Sequence, residues 1–213
     1  MRHPEVQVWF SATDVDVDSS ALSRDEHARA SRFRFEHDRR RWIAARVMLR
    51  QALGEYVNVS PAELTFTYSQ YGKPALCGHN LHFNLSHSGD LAVCAISAVT
   101  EVGVDVERIR EIEDMDALFR SISSAREYSA FRVLPRAERT RAFFETWTRK
   151  EACVKATGRG LSTPLADVDA SRSPVVTLNL APGYAAALCA LEGCAIVNIA
   201  SCADLRDVPV PIG

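Results

Sequence analysis

Phe143-Phe144-Glu145-Thr146-Trp147-Thr148-Arg149-Lys150-Glu151-Ala152-Cys153-Val154-Lys155-Ala156-Thr157-Gly158-Arg159-Gly160 reads as a helix from Phe143 to about Thr157. Gly158 and Gly160 form its stop signal, since glycine adopts the left-handed C-cap at little cost. On a 3.6-residue period Phe143, Trp147, Glu151 and Lys155 climb one face, with Lys150 and Val154 beside them. One carboxylate thus sits on a partly aromatic face between basic groups. Taken alone, the pattern also suits a solvated helix with a Glu151 to Lys155 ion pair worth about 0.2 to 0.5 kcal/mol.

A second stretch gives the carboxylate company. Gly103-Val104-Asp105-Val106-Glu107 alternates apolar with acidic, the period of a strand, which puts Asp105 and Glu107 on the same side of a sheet. Two same-side carboxylates repel, so the arrangement calls for water or a cation. Asp105, Glu107 and Glu151 together could share one hard ion, and carboxylate ligation completed by water or phosphate points to Mg2+.

The 213-residue length allows one large domain or two smaller ones. A hydrophobic content of 47% supports a full core, and a net charge of -2 argues against bulk nucleic-acid binding, which needs a basic surplus. Any anion site must be a local cluster. Cys77, Cys94, Cys153, Cys189, Cys194 and Cys202 include no CxxC pair and lie mostly in apolar runs, as small buried hydrophobes of a reducing compartment do. The N-terminus has no signal-peptide pattern, and no apolar run approaches the roughly 20 residues of a membrane span. The expectation is a cytoplasmic protein.

From the N-terminus, Val6 to Ser11 reads as a strand and Ser23-Arg24-Asp25-Glu26 as a helix N-cap with acids in the first turn. A basic segment from Arg29 to Arg50 follows, helical from Asp38, with arginines at 39, 40, 41, 46 and 50 that suit an anion partner. Leu64 to Tyr68 is a predicted strand and Tyr71-Gly72-Lys73-Pro74 a turn. Leu81 to Leu85 and Leu91 to Ser97 are predicted strands joined by Ser86-His87-Ser88-Gly89-Asp90. That connection reads either as a plain hairpin with a surface histidine or as a cluster of phosphate donors. A strand over Val99 to Glu107, a helical region from Asp114 to about Val133, the Phe143 helix and strands at Val175 to Leu180, Tyr184 to Leu191 and Ala195 to Ser201 repeat the layout of the first half. The division expected is residues 1–98 and 99–213, with ligands bound where the halves face each other. The tail after Cys202 reads as irregular.

Tyr71-Gly72-Lys73-Pro74, Phe83-Asn84-Leu85-Ser86-His87-Ser88, Gly103-Val104-Asp105-Val106-Glu107 and Trp147-Thr148-Arg149-Lys150-Glu151-Ala152-Cys153-Val154-Lys155 resemble, in order and spacing, the signature blocks of the 4'-phosphopantetheinyl transferase superfamily, in its surfactin-synthetase-activator type. The resemblance spans Phe33 to Leu161. It implies an α+β fold, a pseudo-two-fold pair of similar α/β subdomains with coenzyme A and Mg2+ in the cleft between them. The implied reaction moves the 4'-phosphopantetheine arm onto a serine of an apo acyl or peptidyl carrier protein and releases adenosine 3',5'-bisphosphate. By position the resemblance makes Asp105, Glu107 and Glu151 the magnesium ligands and Lys155 a pyrophosphate contact. Lys73, Ser86 and His87 become the grip on adenine and 3'-phosphate, Arg41 a 3'-phosphate arginine, and Arg29 and Arg46 further phosphate candidates.

Such transfer asks the protein chiefly for positioning and charge neutralisation. Lys155 would stabilise the leaving bisphosphate, and Glu151 would take the serine proton, directly or through a metal-bound water. The segment from Leu118 through Arg120, Arg126 and Tyr128 to Arg132 mixes apolar and arginine side chains, which suits either an acidic carrier partner or a packed helix with solvated arginines. Two other readings compete: another Mg2+-dependent phosphoester enzyme using the same acids, and a non-catalytic module binding carrier proteins or nucleotides. Two fused halves building one cleft lead to the expectation of a monomer.

Overall fold

The computed structural model describes residues 5–158, 163–192 and 196–201. Gly160, the residues after Ser201 and the cysteines at 194 and 202 lie outside the described residues, and with them the second glycine of the stop signal and the expected irregular tail.

Strand β1 (Glu5–Ala12) opens the chain, with Val6 and Val8 on one face and Trp9 on the other. Helix α1 (Arg24–Ala30) starts at Ser23 as the spacing predicts. The Glu26 amide donates to Ser23 Oγ at 3.3 Å and the Ser23 amide to Glu26 Oε2 at 2.9 Å, a reciprocal capping box. Helix α2 (Glu36–Val57) ends at Asn58 in the left-handed conformation, φ 54°. Arg46 and Arg50 on α2 are buried and both bind Glu26, so the α1 acid neutralises two of the arginines in the basic segment. Strands β2 (Phe66–Tyr68) and β3 (Pro74–Leu76) form a small ribbon around Gly72, φ 81°. Then come β4 (His82–Ser88), β5 (Leu91–Ser97) and β6 (Val102–Arg108). Helices α3 (Met115–Ile122), α4 (Ala125–Arg132) and α5 (Arg136–Thr157) are followed by β7 (Val175–Leu178), β8 (Tyr184–Ala190) and β9 (Ile196–Ser201).

One sheet has the order β4-β5-β1-β9, with β9 parallel to β1; the other has the order β6-β8-β7 and is antiparallel. The sheets pack face to face through Val6, Val8, Val93 and Ala95 on one side and Val102, Val104, Val106 and Leu188 on the other. Helix α2 covers the outer face of the first sheet through Leu49 and Leu53 against Phe83 and Ile96. Helix α5 covers the outer face of the second through Ala152 and Ala156 against Ala187 and Cys189. The result is four layers, helix, sheet, sheet, helix, in a mixed α+β fold. Both halves run from a strand through short helices (one, α1, in the first half; two, α3 and α4, in the second) to a 22-residue helix, a 3-10 turn and strands. Strand β9, from the second half, completes the first sheet.

Three elements differ from expectation. Helix α5 begins at Arg136, two turns before Phe143, because its first turns are polar and largely uncovered and so lack an apolar period. The region 114–133 is two helices, broken where Ser124 caps α4 in a second reciprocal box with Glu127. Ser86, His87 and Ser88 belong to strand β4, and the connection shrinks to Gly89 and Asp90. Gly89 has φ 54°, and a Cβ there would lie 3.1 Å from the Tyr184 hydroxyl. Cys94, Cys153 and Cys189 are buried, whereas Cys77 is exposed. No helix among the described residues is long and apolar enough to cross a membrane.

Candidate active site

The acidic stretch of β6 is brought against α5 by a missing side chain. A Cβ on Gly103 would fall well inside van der Waals contact of the Ala152 carbonyl and the Ala156 amide, so the helix backbone rests directly on the strand. Alternation along β6 sends Val102, Val104 and Val106 between the sheets and Asp105 and Glu107 toward α5. Glu151 and Lys155, one turn apart on α5, meet them there.

The first half supplies the other wall. Alternate residues of β4 point at β6, and their side chains take the place of a backbone ladder between the two edge strands. Asn84 Oδ1 accepts the Val104 amide at 3.0 Å, Ser86 Oγ the Val106 amide at 3.4 Å, and Ser88 Oγ the Arg108 amide at 3.1 Å. The two hydroxyls then donate onward, Ser86 to Asp105 Oδ1 at 2.9 Å and Ser88 to Glu107 Oε2 at 2.6 Å.

Asp105 is 3% exposed. Its Oδ1 also receives Lys155 Nζ at 2.6 Å, while Nζ donates to Ser86 Oγ at 3.0 Å. Its Oδ2 is buried with no hydrogen-bond partner among the described residues. Burial raises the Asp105 pKa and outweighs the lowering by Lys155 and Ser86. Burial likewise raises Glu107, against the Ser88 bond and helped by Asp105. Glu151 is raised by burial, then by Asp105 and Glu107, with Lys155 opposing. Glu107 and Glu151 thus feel neighbouring carboxylates as excess negative charge, whereas Asp105 is raised by burial alone.

Those are conditions under which a cation is favoured, and the orphaned Asp105 oxygen is the atom it would satisfy. Among the described residues, however, no group of three or more His, Cys, Asp or Glu side chains is arranged to hold a metal ion. Lys155 occupies the other Asp105 oxygen. The surface ion pair weighed for Lys155 with Glu151 is replaced by this buried one with Asp105. Lys150, read as a neighbour of the acidic face, is fully buried. It instead ties α4 to α5, donating to Glu127 at 2.9 Å and to the carbonyls of Leu165 and Val168.

Next to the acids lies a cavity of about 610 Å³ lined by Arg29, Trp42, Arg46, Phe66, Asn84 and His87, among others. Arg29 holds its guanidinium 5.5 Å from the centre of the Trp42 ring. His87, on the α2 side of β4, is solvent-accessible, yet desolvation by the cavity walls, then Lys155 and Arg41, keep its pKa below the usual imidazole value, with Asp38 opposing. Arg41 grips Asp90 Oδ1 through Nε at 3.0 Å and through Nη2. Arg46 is committed to Glu26 and stacks over Phe66 at 5.3 Å. Lys73 does not line this cavity. It faces a second one, of about 520 Å³, on the other side of the β2–β3 ribbon, bound to Glu101 and to the Ala156 carbonyl at 3.1 Å.

The structure therefore brings Ser86, Asp105, Glu107, Glu151 and Lys155 to one junction, sets His87 and Arg29 in the adjoining cavity, and turns Lys73 away from it. The sequence offers no role for the Asn84 and Asp90 side chains and, for Ser88, only that of a phosphate donor, although polar residues at 84, 86 and 88 carry a period-2 signal.

The family model described as 4'-phosphopantetheinyl transferase superfamily matches residues 101–193, and the one described as 4'-phosphopantetheinyl transferase, N-terminal, matches residues 9–99. The chain is 39% identical over 191 residues to 4'-phosphopantetheinyl transferase HetI of Nostoc, covering 84% of this chain and 80% of that one. It is 32% identical to 4'-phosphopantetheinyl transferase psf-1 of Bacillus pumilus, covering 86% of each chain. With 4'-phosphopantetheinyl transferase Sfp of Bacillus subtilis it shares 29% identity over 80% of this chain and 83% of that one.

Proposed function

The chain belongs to the 4'-phosphopantetheinyl transferase superfamily, and from that premise we propose that it moves the phosphopantetheine arm of coenzyme A onto a serine of an apo acyl or peptidyl carrier protein, with Mg2+ at Asp105, Glu107 and Glu151. The observation that supports this reading is the meeting of three acids with raised pKa values where the two halves join, one of them, Asp105, with a buried oxygen that has no hydrogen-bond partner among the described residues.

Mg2+ would neutralise the diphosphate oxygens and fix their orientation. The chain's own groups do the rest. Lys155, paired with Asp105, is a cation within reach of a diphosphate there. Moving its ammonium onto phosphate oxygens frees Asp105 and offsets charge on the leaving adenosine 3',5'-bisphosphate. Glu151, its basicity increased by burial and by Asp105, accepts the proton as the carrier serine oxygen attacks phosphorus. The phosphorus to bisphosphate oxygen bond breaks as the serine to phosphorus bond forms.

The nucleotide end belongs in the 610 Å³ cavity. His87 and Arg29 line it, and Arg41, whose charge acts on His87, has one guanidinium nitrogen not engaged by Asp90. Lys73 would reach the nucleotide only by leaving Glu101 and the Ala156 carbonyl. Ser86 acts here through its bonds to Asp105 and Lys155. The carrier would dock beside α3 and α4, where Leu118 and Val133 are exposed and Arg120 and Arg132 flank the Tyr128 ring. The reading includes residues 1–98 and 99–213 as the two subdomains, a cytoplasmic monomer, and no role for nucleic acid.

The test is to incubate the protein with coenzyme A, Mg2+ and an apo carrier protein and to weigh the carrier. A gain of one phosphopantetheine, lost in Asp105→Ala and Glu151→Ala, is the expected result. Hydrolysis of simple phosphoesters without carrier modification would favour another phosphoester enzyme, and binding without transfer a non-catalytic module.

A further inference from the structure

The hydroxyls of Ser86 and Ser88 are two residues apart on β4 and do the same thing to two residues, Asp105 and Glu107, two apart on β6. Each accepts one β6 amide, from Val106 or Arg108, and donates its proton to the carboxylate preceding that amide. An amide aimed at a hydroxyl oxygen leaves the hydroxyl proton to find another acceptor, so accepting the amide directs the donation. The Ser88 to Glu107 bond, at 2.6 Å, is the shorter of the two.

Lys155 supplements Ser86 on Asp105, whereas the Ser88 hydroxyl is the only hydrogen-bond donor to the Glu107 carboxylate among the described residues. A glutamate carries one more rotatable bond than an aspartate, and it lies toward the open end of β6, half-buried. Without a tether its carboxylate would sample several rotamers at the point where the proposed ion needs one.

We infer that Ser88 is a positioning residue: its hydroxyl, oriented by the Arg108 amide, holds Glu107 Oε2 so that the other carboxylate oxygen faces the divalent cation. The inference rests on the reading of Glu107 as a cation ligand. It gives Ser88 a part in the site that its place beside His87 in the signature block does not convey. Because Ser88 comes from the first half and Glu107 from the second, cation affinity is coupled to how the two edge strands meet.

The experiment measures Mn2+ binding by the paramagnetic resonance of the free ion, in proteins saturated with coenzyme A, and follows Mg2+ half-saturation of transfer in parallel. Ser88→Ala is expected to weaken Mn2+ binding about tenfold, the lower end of the effect of losing an outer hydrogen bond to a metal ligand. The KM for coenzyme A should stay in place, and Ser88→Thr, which keeps the hydroxyl, should restore most of the affinity. Should Ser88→Ala not fold, Ser88→Cys, of the same size and a feebler donor, replaces it. Wild-type Mn2+ affinity in the Ser88 variant, with weak binding in Glu107→Gln, overturns the inference and leaves the site reading standing. Weakening that threonine fails to reverse also overturns it. Wild-type affinity in Glu107→Gln overturns the site reading, and the inference falls with it.

Discussion

Lys155, in the last turn of α5, and Asp105, in the middle of β6, form an ion pair of 2.6 Å in which one carboxylate oxygen is used twice and the other, among the described residues, not at all. A buried pair with a spare acceptor is under-satisfied, since removing charges from water is recovered only when every lone pair finds a partner. The pair is therefore poised to exchange partners when a cation and a phosphate arrive together.

Lys155→Ala should lower the transfer rate about a hundredfold, the scale for removing one donor to developing negative charge. The KM for the carrier protein should change little. Steady-state kinetics with carrier and coenzyme A varied separately checks this, and a purely carrier-side effect would count against the assignment.

The three acids predict an unusual pH response. Between the ordinary carboxylate range and their raised values, the folded chain keeps protons that the unfolded chain has released. Stability of the metal-free protein therefore falls as pH rises through that window. Thermal unfolding from about pH 4 to pH 8 should show this fall, and Glu151→Gln should flatten it. Added Mg2+ should raise Tm more at the upper end, because protons compete for its ligands. Identical slopes in the variant and the parent would contradict the reading.

Glu26 holds two buried arginines, Arg46 and Arg50. Burial alone would raise its pKa, but the Ser23 amide and the two guanidinium groups bring it below the ordinary value. Its contribution is thus present above the ordinary glutamate range and lost as pH falls through the lowered value. Glu26→Ala should cost about 3 to 5 kcal/mol by leaving buried charges unpaired, seen as a lower denaturation midpoint.

Gly103→Ala tests the contact that aligns the acids with α5. The added methyl would meet helix backbone rather than a side chain able to yield. A loss of roughly 3 kcal/mol, at the upper end for overpacking, is expected together with reduced transfer. A fully stable, fully active variant would show that helix and strand are not in register as described.

Charge reversal at Arg120, Arg126 and Arg132 should raise the KM for carrier protein and leave that for coenzyme A in place. Unchanged carrier kinetics would remove α3 and α4 as the docking surface.

Much of this was legible where burial imposes a period. The alternation of β6, the apolar face of α5 from Phe143, the Ser23 cap and the apolar run of β5 all appear as read. What misled were polar residues whose partners are remote in sequence. Ser86 to Ser88 have loop composition but are strand, because their hydroxyls are satisfied by β6. Lys150 looks like a surface cation but is saturated by two carbonyls and Glu127. Lys73 sits in a signature block, yet nothing local shows that its ammonium turns to Glu101, 28 positions away. The break before α4 was available in the Ser124 to Glu127 spacing, which matches the Ser23 to Glu26 signal at α1.

The pairing of β9 with β1 joins segments from opposite ends of the described chain. During synthesis the first sheet must wait, one strand short, until residues 196–201 leave the ribosome, with Val8 and its neighbours packed on one edge only. A long-range closure of this kind slows folding and makes it late and cooperative. A cut between the halves should accordingly yield fragments that recover the native sheet only on mixing.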